Sequence, residues 1–339
     1  MRIGTLGYAV EQGLGILVKS FVDHGLVTDI LVVDHYSRPL QRDWYPGAEI
    51  TPMNPSFNRE LAQDFCSRMD LMLFFETPFE WDLIPFCRQA GIPTVLMPMY
   101  ECMPAKLPRE PDWFICPSAL DQRYYPERST LIPVPVEVPW SLRETATTFV
   151  HNAGNLGLRC RNGTPELAQA MLHVESPIKL ILRSQCGSMN NILAENPHLQ
   201  EDPRVSLHIG SLPYDQLWRE GDVFVFPEKF NGLSLPLQEA RAAGMLVMST
   251  DRFPMNTWLP QEPMIQPSGS ERARVGRTPW FDESIIDPRV VAKTIDEWYG
   301  RDISSYSKSG RYWAEEMSWD SLMPQYLELF ENLEVGTFS

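Results

Sequence analysis

The residues whose types and spacing best support chemistry lie between Val223 and Gly244. Val223-Phe-Val-Phe226 is a short, β-branched and aromatic run that reads as a buried strand. Pro227 ends it, because proline donates no ladder hydrogen bond. Asn231-Gly-Leu-Ser-Leu-Pro236 then leads into a helix, with Ser234 expected as N-cap, Pro236 in the first turn and Gly244 just past the end. Gly232 lets the backbone approach a ligand closely, and the helix N-terminus offers N–H groups to phosphate. Glu239 stands about one turn into that helix, where its carboxylate can accept both hydroxyls of a ribose. Such a pocket suits a phosphorylated sugar or nucleotide. A capped helix whose glutamate meets the helix dipole accounts for the same residues equally well.

A second candidate is Gly154-Asn-Leu-Gly-Leu-Arg159-Cys-Arg161-Asn162-Gly163-Thr-Pro-Glu166. Glycines, two arginines and a helix starting at Thr164-Pro165 would make a diphosphate cradle; the alternative is a loop with solvated arginines. Glu76 and Glu101 both follow apolar strands and would bind acceptor hydroxyls or assist proton transfer, or else cap helices at the surface. Gly13-Leu-Gly15 follows the first strand and reads equally as a phosphate-covering loop or a simple turn. His151, at a strand end, is favoured as a structural hydrogen-bonder. No D-x-D pair and no His/Cys cluster has metal-ligand spacing, so no metal and no cofactor are expected.

The elements that must position these groups alternate β and α. Strands are expected at Arg2–Leu6, Thr28–Asp34, Asp70–Phe75, Thr94–Pro98 and Trp113–Cys116, with helices at Ile16–His24, Leu61–Arg68 and Trp81–Ala90. Continuous apolar strands in this order predict a doubly wound parallel sheet. Leu131-Ile-Pro-Val-Pro-Val-Glu-Val-Pro139 is a proline-punctuated connector, after which the pattern restarts at Thr148-Phe-Val-His151. Further strands are expected at Lys179–Leu182, Val205–Ile209 and Leu246–Ser249, and helices at Val290–Trp298 and Leu322–Leu333. A chain of 339 residues has room for two such domains. The net charge of −15 argues against a broad footprint for nucleic acid or anionic membrane. Cys66, Cys87, Cys102, Cys116, Cys160 and Cys186 show no C-x-x-C pairing and read as reduced thiols of a cytoplasmic protein. No apolar run reaches the length of a membrane span, and the N-terminus lacks a signal-peptide core.

Asn231-Gly-Leu-Ser-Leu-Pro-Leu-Gln-Glu239-Ala-Arg-Ala-Ala-Gly244 resembles the E-G-F-G-L-P-x-x-E-A-x-A-x-G signature of family 4 glycosyltransferases. The resemblance implies a GT-B fold, α/β with two Rossmann-like doubly wound domains facing across a cleft. It implies an acceptor-side domain over 1–143, a nucleotide-sugar domain over 144–305, and helices in 306–339 returning to the first domain. The implied activity is transfer of a sugar from a nucleotide-diphosphate donor to an acceptor hydroxyl, with retention of configuration. The resemblance leaves the acceptor open among a glycan, a small molecule and a modified nucleic acid. The implied donor-binding set is Gly13, Gly15, Gly154, Asn155, Arg159, Arg161, Asn162, Gly210, Gly232, Leu233, Ser234 and Glu239, with Glu76, Glu101 and Asn231 as catalytic candidates. Two departures stand out: Asn231 replaces the family's first glutamate, and Asn155 and Asn162 stand where the family carries Arg and Lys. They leave open a GT-B binding protein that has lost turnover, and the resemblance itself leaves a second reading, a transferase acting on hydroxylated bases of DNA.

Overall fold

The computed structural model describes residues 1–35, 38–154, 156–185, 187–260 and 263–334. Two compact units divide the chain: Met1–Val134 with Arg277–Pro279 and Trp319 onward, and Pro135–Gly276 with Trp280–Ser318.

Unit 1 is built on β1 (Ile3–Gly7), β2 (Asp29–Asp34), β3 (Ile50–Pro52), β4 (Leu71–Glu76), β5 (Thr94–Pro98), β6 (Trp113–Cys116) and β7 (Ser129–Leu131). They form a parallel sheet in the order β3-β2-β1-β4-β5-β6-β7. The apolar runs are continuous because this sheet is covered on both faces: Leu71 to Phe75 are all at most 3% exposed. The helices are α1 (Gly13–Asp23), α2 (Arg59–Ser67), α3 (Leu83–Gln89) and α4 (Ala119–Tyr124). Leu6, Leu31, Phe65, Phe74 and Leu96 join one core cluster. Gly13-Leu14-Gly15 is the first turn of α1 and not the expected loop, and a Cβ on Gly15 would meet the Val10 carbonyl oxygen at 2.0 Å.

Unit 2 carries β8 (Thr148–Gly154), β9 (Lys179–Ser184), β10 (Val205–Ile209), β11 (Val223–Phe226), β12 (Leu246–Thr250) and β13 (Met264–Ile265). These also pair in parallel, in the order β10-β9-β8-β11-β12-β13. An antiparallel hairpin, β14 (Gly269–Ala273) and β15 (Phe281–Ile285), escaped the sequence reading because its strands are largely polar. The helices are α5 (Thr164–Ala170), α6 (Met189–Glu195), α7 (His198–Glu201), α8 (Leu235–Ala242), α9 (Pro288–Trp298) and α10 (Ser304–Glu316). Helix α10 packs tightly on α8: a Cβ on Gly310 would lie 2.3 Å from the Arg241 carbonyl oxygen, and the Arg241 guanidinium stacks 4.7 Å over Trp313.

The last helix, α11 (Trp319–Glu334), belongs to unit 1. The Trp319 indole donates to the Ser20 hydroxyl at 2.8 Å, and the fully buried Tyr326 donates to the Pro133 carbonyl at 2.9 Å. Among the described residues no helix is long and apolar enough to cross a membrane.

Candidate functional site

Each sheet reverses its winding once, between β1 and β4 in unit 1 and between β8 and β11 in unit 2. Loops beyond the carboxyl ends of strands at such a reversal diverge and leave room for a ligand.

In unit 2 the loop after β8 carries an unusual backbone. Gly154, Leu156, Gly157, Arg159, Cys160 and Gly163 all have positive φ, between 51° and 73°. Three of these are not glycine, and left-handed geometry costs such residues on the order of 1–3 kcal/mol each, a strain that clusters at ligand-binding loops. The loop is pressed against the one following β11. The Lys229 N–H donates to the Arg161 carbonyl at 2.7 Å, and a Cβ on Gly163 would sit 2.0 Å from the Pro227 carbonyl oxygen. The structure therefore brings Arg161 and Gly163 to the segment that ends in the Asn231–Ser234 turn. Asn155 lies outside the described residues.

Asn162 is only 5% exposed and donates from Nδ2 to the Ala153 carbonyl. Its Oδ1 lies 2.9 Å from the Thr164 hydroxyl, which in turn lies 2.8 Å from His151 Nε2. His151 Nδ1 sits 2.7 Å from the Val225 carbonyl, and burial holds the imidazole down at about 4 and neutral. This chain of polar groups braces the start of α5 behind the loop. Arg159 is engaged: its Nε donates to Glu283 at 2.7 Å, and Glu271 is 3.6 Å away. Lys229 lies between Glu283 at 3.3 Å and Glu166 at 3.4 Å.

The Asn231–Ser234 turn is organised differently from a simple N-cap. Ser234 adopts left-handed geometry, φ 49° and ψ 61°, and its side chain does not cap α8. Its hydroxyl instead donates to Glu228 at 2.8 Å, and its N–H donates to Asn231 Oδ1 at 3.0 Å. Glu228 is fully buried and lies 3.6 Å from Arg252, whose Nη1 also donates to the Asn231 carbonyl at 3.0 Å. A serine thus holds a position that suits glycine because a buried carboxylate and an amide oxygen fix both of its polar ends. Glu228 and Arg252 were missed in the sequence. The signal was a charged residue directly after the strand-ending Pro227, where the strand pattern leads one to expect solvent.

Glu239 points from α8 into buried surroundings, 9% exposed, and accepts the Tyr214 hydroxyl at 2.7 Å. Burial pushes its carboxyl up to about 7 against that hydrogen bond. Tyr214 opens the 3-10 turn that follows β10 and Gly210, whose φ is 147°. The structure therefore places the Gly210 loop beside Glu239. Gly232 and Leu233 are buried within the Asn231–Ser234 turn, with the Leu233 carbonyl accepting from Gln238.

In unit 1 the reversal encloses a hollow of about 180 Å³ lined by Tyr8, Leu14, Met53, Phe57, Glu76 and Phe79, among others. Tyr8 and Phe79 meet edge to face at 4.8 Å. Burial, and then the charge of Glu76, push the Tyr8 phenol up to about 12. Glu76 ends β4 with φ 60°, a strained residue at the mouth of a cavity. Glu101 does not join it. It is 2% exposed in the short turn after β5, and its charge is a contributor that raises buried Asp121. Asp121, pushed up to about 7 chiefly by burial, accepts the Tyr100 N–H and the Ser118 hydroxyl. Gly13 is exposed at the first turn of α1, whose Leu14 lines the hollow.

The fold these two sites occupy is the GT-B fold of glycosyltransferases. Over 98% of this chain and all of its counterpart, it is similar to Anabaena HepE in complex with UDP and glucose, with TM-score 0.67 at 12% identity. Sucrose-phosphate synthase from Thermosynechococcus elongatus is similar over 99% of this chain and 100% of its own, with TM-score 0.64 and 15% identity. A glycosyltransferase from Rickettsia africae is similar over 98% of both chains, with TM-score 0.68 and 11% identity. No protein-family model matches the chain, and no curated protein does.

Proposed function

We propose that the chain is a glycosyltransferase that takes a sugar from a nucleoside-diphosphate donor and passes it, with retention, to an acceptor hydroxyl. The observation that carries this reading is the unit 2 reversal. There, a strained glycine-bearing loop with Arg161, the start of α8 and the buried carboxylate of Glu239 gather at the carboxyl ends of β8 and β11. Glu239 would take the ribose hydroxyls. Arg161 and loop N–H groups would hold the diphosphate and stabilise the charge that develops as the bond to the anomeric carbon breaks. The hollow in unit 1 would receive the acceptor, with Glu76 accepting a hydrogen bond from its hydroxyl. HepE, a structural neighbour, was seen with UDP-glucose, which makes UDP the first donor base to test. The cysteines among the described residues are all free thiols, in keeping with a cytoplasmic setting.

Incubation with UDP-glucose and a panel of simple acceptors tests the assignment. Release of UDP that depends on Glu239 supports it, and turnover unchanged in Glu239→Ala refutes the site. A second reading, a donor-binding protein without turnover, is favoured by two contacts. Asn231 spends its Oδ1 on the Ser234 N–H, and Arg159 is held by Glu283. UDP binding with no UDP release above background would select it.

A further inference from the structure

We propose that the outward face of the β14–β15 hairpin is a binding site for an anionic sugar, a saccharide bearing a carboxylate or a phosphate. The hairpin has two unlike faces. Ala273 and Phe281 pair across it and are buried, with Phe281 stacked 4.1 Å from Phe230. Arg272 pairs with Asp282 in the next position, and Arg274 and Trp280 directly flank the paired residues at the loop end of the hairpin. Alternation along the strands sends Arg272 and its partner Asp282 to the face opposite Phe281, and the contacts of Arg272 and Arg274 with the Trp280 ring gather all three there. All three are exposed, Trp280 by 49%.

The Trp280 ring gathers the two cations: the guanidinium carbons of Arg274 and Arg272 lie 5.1 and 5.8 Å from its centroid. Neither arginine forms an ion pair among the described residues. In the same chain Arg2, Arg59, Arg68, Arg88 and Arg204 each close on a carboxylate. In a protein with 44 acidic and 29 basic residues, a face that sets two arginines against the single carboxylate of Asp282 is a local reversal of charge. The guanidinium fork matches a carboxylate or phosphate, and a half-open indole offers a flat apolar surface for the C–H face of a sugar ring. A long polyanion is disfavoured, because the field of a −15 protein repels it far more than a singly or doubly charged sugar. The site lies outside the groups assigned to transfer and does not depend on that reading.

The test is the indole N–H spectrum of protein labelled with 15N-tryptophan, with the Trp280 signal assigned by Trp280→Phe. Glucuronate and glucose 6-phosphate are expected to shift that signal saturably, whereas glucose leaves it in place. In Arg272→Gln/Arg274→Gln the apparent affinity should fall about tenfold or more, and the Lys/Lys pair should recover part of it. The proposal is overturned if no anionic sugar moves the signal or if the Gln pair responds like the parent protein. It is equally overturned if inorganic phosphate alone produces the same shift, or if an oligothymidylate binds more tightly than either sugar.

Discussion

The two winding reversals of this chain have the same topology and opposite chemistry. In unit 2 the space behind the loops is filled with buried polar groups: Glu228, Ser234, Asn231, Glu239, Asn162 and His151 are each at most 9% exposed. In unit 1 the equivalent position is a hollow walled by Tyr8, Phe57 and Phe79 with one carboxylate at its rim. A buried polar network of paired groups rigidifies the segment it links. A site that must recognise an invariant group such as a diphosphate or ribose gains from that rigidity. An aromatic hollow instead tolerates differences in the shape of what it receives, as suits the partner that varies.

This contrast is easiest to break at Glu228. Glu228→Ala removes the buried carboxylate that faces the partly buried Arg252 and accepts the hydroxyl of the strained Ser234, and it should cost about 3–5 kcal/mol in urea unfolding. A loss below about 1 kcal/mol would show that the unit 2 network is not what holds the turn.

The next largest effect is on binding. Glu239→Ala should weaken UDP by roughly ten- to a hundredfold in titration calorimetry, the equivalent of about 1–3 kcal/mol. Glu76→Gln, in the other unit, should leave UDP affinity unchanged. Equal losses from both would erase the division of labour.

A third outcome concerns pH. Burial raises the Glu239 carboxyl from its ordinary 4.5 to about 7, and donated hydroxyl hydrogen bonds favour the ionised form. UDP affinity should hold above about pH 8 and fall as pH drops below about 7, approaching tenfold per unit at most. The stability contribution has the reverse sense. Between pH 4.5 and 7 the unfolded chain has released this proton while the folded chain keeps it, so stability is lost as pH rises through that window. Comparing the parent with Glu239→Gln isolates this slope from that of His151, which runs the other way.

The smallest effect is expected at Glu76. Glycine there relieves a positive φ worth roughly 1–2 kcal/mol but adds about 0.5–1 kcal/mol of chain entropy to the unfolded state. Glu76→Gly should therefore stabilise unit 1 by about 0–1.5 kcal/mol in urea unfolding. A clear loss would mean that the carboxylate, and not the backbone, anchors the rim.

Much of this was legible in the chain. The continuous apolar strands from Leu71 to Phe75 and Val223 to Phe226, and the Pro and Gly punctuation around them, encode local conformation directly, and both sheets followed. Two edge strands, Ile50–Pro52 and Ser129–Leu131, were invisible because three residues carry no period. Helix α10 overlaps the 306–339 stretch expected to be helical, but its place in unit 2 was not legible, because its buried positions include Ser307 and Gly310, small residues that serve close approach and carry no hydrophobic signal. At the site, the place of Glu239 early in α8 was legible from its spacing after Pro236, and its assignment to a ribose came from the resemblance to the family 4 signature. The role of Asn231 was not, since its Oδ1 is committed to a residue three positions on, by a turn that depends on Glu228 and Arg252. Interactions that span loops leave no periodic trace in a sequence.

The return of α11 to unit 1 bears on the order in which the protein takes shape during its synthesis. Tyr326 and Phe330 are fully buried against a unit whose other residues nearly all precede Val134. A ribosome therefore releases everything unit 2 requires, through Ser318, before it releases the helix that completes unit 1. The first half to be translated is the last to be able to close its core, and until then Phe21 of α1 waits with an open face for Trp319.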